Sequence, residues 1–158
     1  MLLSDRRAFL LAALALAGCG FAPVHGRSSK SLIVRNTVLV QAPTNRAEFE
    51  LVRNLDILLG PATAKRYDLR YTLTVDEQVI VVSAAQEINR FSLVGVLNFS
   101  LVDADGVVFL RKTAKSFTGY SATGTTVATE RSKRDAYDRL MVILAKQVLN
   151  HLWAVDRA

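Results

Sequence analysis

From Tyr67 to Asp76 apolar and polar side chains alternate without a break. Tyr67, Leu69, Tyr71, Leu73 and Val75 interleave with Asp68, Arg70, Thr72, Thr74 and Asp76. Successive side chains of a strand point to opposite faces, so the run predicts a strand with one face on a core and the other in water. Such a strand needs neighbours and an apolar cover over one face. The rest of the chain offers both. Leu32-Ile33-Val34 and Val38-Leu39-Val40 are apolar and rich in β-branched residues, which predicts a first strand within 31–41. Ala42-Pro43-Thr44-Asn45 interrupts it. Asn45 followed by Glu48 fits an N-cap with its capping-box partner. Leu51, Val52, Leu55, Leu58 and Leu59 then recur at helical spacing up to a Gly60-Pro61 stop, so a helix is expected over 45–59.

Downstream, Val79–Val82 should prolong the alternating strand past an irregularity at Asp76-Glu77. Phe91, Leu93, Leu97, Phe99 and Leu101 predict the next strand, Asp103-Ala104-Asp105-Gly106 a hairpin turn, and Val107–Phe117 the strand that pairs back. Gly119 to Gly124 reads as a glycine, serine and threonine loop. Thr126 to Trp153 holds neither glycine nor proline, and Ala136, Leu140, Ile143, Leu144, Val148 and Leu152 form one helical stripe. The order is β-α-β-β-β-α. It predicts an α+β fold, a two-layer sandwich of a four-stranded sheet with two helices on one face. The first strand must cross over a helix to reach its neighbour, so the sheet is expected to be mixed.

The first eighteen residues follow a different logic. Met1–Arg7 carries Arg6 and Arg7, and Ala8 to Ala17 has no polar side-chain atom. That apolar run is about half the roughly 20 residues a spanning helix needs. A basic start, a short apolar centre and small residues at its end describe a secretory signal peptide. Asp5-Arg6-Arg7-Ala8-Phe9-Leu10 also resembles a twin-arginine signal, so the general secretory and twin-arginine routes both stay open. The signal ends in Leu16-Ala17-Gly18-Cys19, which resembles the bacterial lipobox, where the cysteine is acylated and becomes the mature N-terminus. The resemblance implies removal of 1–18 and an N-acyl and diacylglyceryl lipid on Cys19, with no other cofactor. Each buried CH₂ adds about 0.8 kcal/mol of membrane affinity, so several chains on one residue anchor durably. In bacterial lipoproteins an Asp after the cysteine often signals inner-membrane retention, and Gly20 stands there instead, which implies delivery to the outer membrane. Residues 19–30, with Gly20, Pro23, Gly26, Ser28, Ser29 and Lys30, read as a flexible tether, leaving 31–158 as a single domain.

Composition excludes more chemistry than it suggests. One cysteine and two histidines, His25 and His151, in 158 residues rule out a disulfide framework and a cysteine- or histidine-rich metal centre. There is no Walker loop, no G-x-G-x-x-G after a strand and no G-x-S-x-G elbow. Asp103 and Asp105 flank a tight turn, where aspartate is expected for backbone hydrogen bonding. The expected protein is not an enzyme. Its formal charge of +6 favours anionic partners.

Two basic groups stand out. Arg111, Lys112 and Lys115 lie on a predicted strand with no acid between Gly106 and Gly124; Arg131, Lys133 and Arg134 lie early in the last helix beside Glu130 and Asp135. A solvated surface would explain both. On the strand, period two puts Phe109, Arg111, Thr113, Lys115 and Phe117 on one face, and cations beside aromatic rings suit a ligand with phosphates and acyl chains. They also suit single-stranded nucleic acid, which an exported, lipid-anchored chain would seldom meet; no nucleic-acid partner is expected.

Cys19-Gly20-Phe21-Ala22-Pro23-Val24-His25-Gly26 resembles the mature start of the LptE family of lipopolysaccharide-assembly lipoproteins, in particular its alphaproteobacterial branch. The similarity runs through the first strand and helix and the Asp103–Gly106 hairpin. It continues over Ser116-Phe117-Thr118-Gly119-Tyr120-Ser121, Val127-Ala128-Thr129-Glu130-Arg131 and the terminal helix, so it covers nearly the whole chain. The resemblance implies a small sheet with two helices on one side. It implies a lipid-anchored place on the periplasmic side of the outer membrane. There the protein would plug the large β-barrel LptD, support its assembly and help insert lipopolysaccharide into the outer leaflet. Family members bind lipopolysaccharide through basic residues near a strand turn and near the start of the last helix. Those positions align near Ala85 and Thr129, neither basic, so Arg90, Arg131 and Lys133 are the neighbouring candidates, alongside Arg111 and Lys115 on the strand. The alternative is an auxiliary lipoprotein of an ABC-type lipid transport system, which shares the lipobox and a compact mixed domain.

Overall fold

The computed structural model describes residues 35–82 and 88–155. Cys19, the tether and Leu32-Ile33-Val34 lie outside them. The order is β1 (Val38–Val40), α1 (Arg46–Leu59), β2 (Tyr67–Val82), β3 (Ile88–Asp103), β4 (Val108–Ser121) and α2 (Thr126–Val155). The four strands form one mixed sheet in chain order, with β1 parallel to β2 and the other pairs antiparallel. This is the expected α+β sandwich.

Local chemistry sets the ends of α1. Asn45 is extended, and its side-chain oxygen accepts the Glu48 N–H at 3.0 Å. The Glu48 carboxylate reaches back to the Thr44 N–H at 2.8 Å, the Thr44 hydroxyl and the Asn45 amide, so donors left over at the helix start are satisfied. Those bonds, the Thr44 N–H first, hold the Glu48 carboxyl below its ordinary pKa. At the other end Gly60 takes φ +77° and closes on the Asp56 carbonyl at 2.9 Å. A Cβ there would sit 2.2 Å from Asn36 Oδ1, so both conformation and space call for glycine.

The alternating register brings Leu69, Leu101 and Leu110 into one row, and Leu73, Leu97 and Ala114 into another, on the core side. Against them pack Leu51, Leu55 and Leu59 of α1 and Leu140, Leu144, Val148 and Leu152 of α2. Helix α2 contacts β4, β3 and α1. It is therefore covered over a wide arc that also takes in Met141, Ala145 and Leu149. Ile143, expected in the stripe, falls at the margin of that arc and is 37% exposed. Gly95 of β3 allows the close approach: a Cβ there would meet Leu140 and Leu144 methyls at 3.1 Å.

Three boundaries differ from expectation. Pairing is regular through Asp76↔Val94 and Glu77↔Leu93, and the irregularity lies between Val79 and Val82. Glu77 stays on the core-side row because it has partners there, described below. The Gly119–Gly124 loop starts late: β4 begins at Val108 and runs through Gly119, Tyr120 and Ser121, which pair with Ser92, Phe91 and Arg90. Tyr120, nearly buried, stacks on Phe91 with centroids 5.1 Å apart and so anchors that end in the sheet. Finally, a bulge opposite Leu101/Val102 leaves Phe109 outside the pair register, and its ring meets Tyr67 at 5.8 Å. The bulge breaks period two, so Phe109 leaves the Arg111–Lys115 face.

Candidate functional site

With both helices on one side, the opposite face of the sheet carries polar and cationic rows. The register sets Arg70, Ser100 and Arg111 side by side, then Thr72, Asn98 and Thr113, then Thr74, Val96 and Lys115, then Asp76, Val94 and Phe117. Arg70, Thr72, Asn98, Arg111, Thr113 and Lys115 are all exposed, and Phe117 is 72% exposed. The Thr113 hydroxyl donates to Asn98 Oδ1 at 2.7 Å, which ties β4 to β3 across the middle of the face. Arg111 and Lys115 thus stand where period two put them, joined by Arg70 from a strand 41 positions earlier. No run of charge in the sequence marks Arg70, and only the register finds it.

The remaining candidates lie elsewhere. Arg90, exposed, sits where β3 meets the end of β4, in a groove of about 550 Å³ that Ser121, Ser132, Asp135 and Arg139 also line. Arg139 donates to the Gly119 carbonyl at 3.3 Å. Arg131 is exposed on α2. Lys133 is held within the molecule, with its ammonium 2.6 Å from the Glu77 carboxylate, and the Tyr120 hydroxyl donates to the same carboxylate. Three elements meet there: β2, β4 and α2. Burial pushes the Glu77 carboxyl up, but the Lys133 and Tyr120 hydrogen bonds outweigh it and leave it below its ordinary value. The bond to Glu77 raises Lys133, and burial followed by the Glu77 bond raises Tyr120.

Among the described residues no group of three His, Cys, Asp or Glu side chains could hold a metal ion. No described helix is long and apolar enough to cross a membrane. His151 packs its ring 5.9 Å from Phe99. Asp103 serves its turn, accepting from the Asp105 and Val107 N–H groups at 3.0 and 2.8 Å. What the surface offers is cationic and hydrogen-bonding, which suits recognition of an anionic partner.

Known proteins agree with this architecture. The sequence model of the family described as LptE, lipopolysaccharide-assembly, matches residues 35–152. No curated protein sequence matches the chain. Among solved structures, a Caulobacter crescentus protein described as a lipoprotein aligns with a TM-score of 0.68 at 20% identity, over 84% of this chain and 99% of that one. Lipoprotein B of Nitrosomonas europaea aligns with 0.63 at 15%, over 88% and 94%. Rare lipoprotein B of Shewanella oneidensis aligns with 0.58 at 10%, over 77% and 95%. At such identities these three structures speak for the fold, and the family match speaks for descent. That match begins ahead of β1 and ends in the last turn of α2, and by it the chain belongs to the LptE family of lipopolysaccharide-assembly proteins.

Proposed function

We propose that this chain is the lipoprotein component of an outer-membrane lipopolysaccharide translocon. Acyl chains on Cys19 hold it at the periplasmic side of that membrane. It sits as a plug inside an LptD-like β-barrel, supports the barrel's assembly and aids insertion of lipopolysaccharide into the outer leaflet. The family match across the sheet and both helices carries this reading. Physical chemistry supports it. The interior of a large barrel is polar, so a plug must present polar surface while keeping its own core closed. The sandwich does this, with its apolar rows turned to the helices and its hydroxyl and guanidinium rows turned out. Lipid phosphates are anionic. The groove holding Arg90 and Arg139, with Arg131 nearby on α2, offers guanidinium groups that suit them. The protein acts by binding and positioning, without catalysis.

The test is affinity purification of the tagged, full-length chain from detergent-extracted envelopes. A large β-barrel should co-purify, and Cys19→Ala should reduce its recovery. Recovery of inner-membrane ABC transporter subunits in place of a barrel would sink the proposal.

A further inference from the structure

The translocon reading leaves open which side of the domain meets the barrel. The helix-free face answers in its spacing. Its three central rows contain Arg70, Arg111 and Lys115 and no acid. Asp68, at one end, already has Lys65 at 2.9 Å, and Asp76 stands in the row beyond Lys115 at the other. Arg111 and Lys115 are four positions apart on one strand, about 13 Å at the usual rise, and Arg70 stands two strands across from Arg111, about 10 Å. That is the lattice of a pleated sheet. It is also the lattice on which another strand presents side chains at every second or fourth position. Between the cations lie short hydroxyl and amide groups, and the Thr113–Asn98 hydrogen bond closes the centre. An open concavity of about 380 Å³ lies beside Arg70 and Arg111, with Thr72, Asn98 and Ser100 also in its lining.

We propose that this face lies against the inner wall of the barrel, with Arg70, Arg111 and Lys115 paired to carboxylates carried on the wall strands. The proposal rests on the translocon reading. Its occupant is a carboxylate-bearing β-surface, and the charge excess of the central rows selects it. Phe117, 72% exposed at the margin of these rows, gives the contact its apolar anchor.

The experiment uses the full-length chain in its own envelope. A photocrosslinking amino acid replaces Thr113 on this face, and in a second strain replaces Ile57, which is 68% exposed on α1. The Thr113 probe should yield an adduct with the barrel. Arg111→Glu combined with Lys115→Glu should lower barrel recovery at least tenfold with an unchanged circular dichroism spectrum, while Arg111→Lys should keep most of it. Three outcomes overturn the assignment while the barrel still co-purifies: an adduct from Ile57 alone, an adduct of Thr113 with lipopolysaccharide only, or undiminished recovery after charge reversal. If the unaltered chain recovers no barrel, the translocon reading falls and takes this proposal with it.

Discussion

The close seat of α2 on the sheet rests on Gly95, and a mutant cycle can measure it. A Cβ at this position would lie 3.1 Å from a methyl of Leu140 and 3.1 Å from one of Leu144, with a second Leu140 methyl at 3.3 Å. Gly95→Ala recovers about 0.5–1 kcal/mol of backbone entropy, and pressing the leucine methyls back by a few tenths of an ångström consumes about as much. It should be nearly neutral. Gly95→Val adds two further methyls into the same contact, and overpacking of a closed core costs about 1–3 kcal/mol. We expect a loss of about 2 kcal/mol. Leu140 is fully buried, so Leu140→Ala alone should cost about 2–5 kcal/mol. In the double variant the valine methyls enter the space Leu140 vacates, and the combined loss should fall short of the sum by about 1–2 kcal/mol. Urea unfolding followed by circular dichroism reads all four corners of the cycle. If the double variant loses the full sum, Gly95 and Leu140 do not share a contact and the account of the helix seat is wrong.

The Glu77–Lys133–Tyr120 junction makes stability depend on pH at both ends. The Glu77 carboxyl is lowered from 4.5, so its contribution is whole above that pH and fades as pH falls through the lowered value. Lys133 is raised from 10.5, so its contribution is whole below that pH and fades as pH rises through the raised value. Glu77→Gln should cost about 1 kcal/mol at pH 7, given side chains about one-third exposed, and should flatten the acid limb of a urea-midpoint profile; an unchanged acid limb would count against the junction. Asn45→Ala should destabilise the fold by about 1 kcal/mol in urea titration, while Asn45→Ser should keep most of that; equal losses would show that the cap oxygen is idle.

Features written within a few neighbouring residues could be read without a structure. The Asn45–Glu48 cap, the alternation from Tyr67 to Val75 and the Asp103–Gly106 turn each depend on residues no more than one element apart. The misread features depend on distant partners. Tyr120 keeps Gly119 to Ser121 in the sheet only because Phe91 and Glu77 await it on other strands. Glu77 would mark a break in an isolated strand, yet here it lies in regular register because Lys133 comes over from α2. Arg111 and Lys115 were legible as one face by period two. Phe109 was wrongly added to them because a bulge is set by the opposing strand. Arg70 was missed because its company is purely a matter of register. The reading of Cys19 rests on the lipobox resemblance alone, and the residue lies outside the described ones.

A last consequence concerns the outer margin of β4. It is the terminal strand of the sheet, and side chains of α2 occupy its backbone carbonyls: Gln147 donates to Lys115 at 3.1 Å and Arg139 to Gly119 at 3.3 Å. An unguarded margin of that length invites stray strands of other chains to add on. With the helix's own amide and guanidinium on those acceptors, part of this margin is closed to an incoming strand, and Lys112 and Lys115 on the same strand add charge against stray pairing.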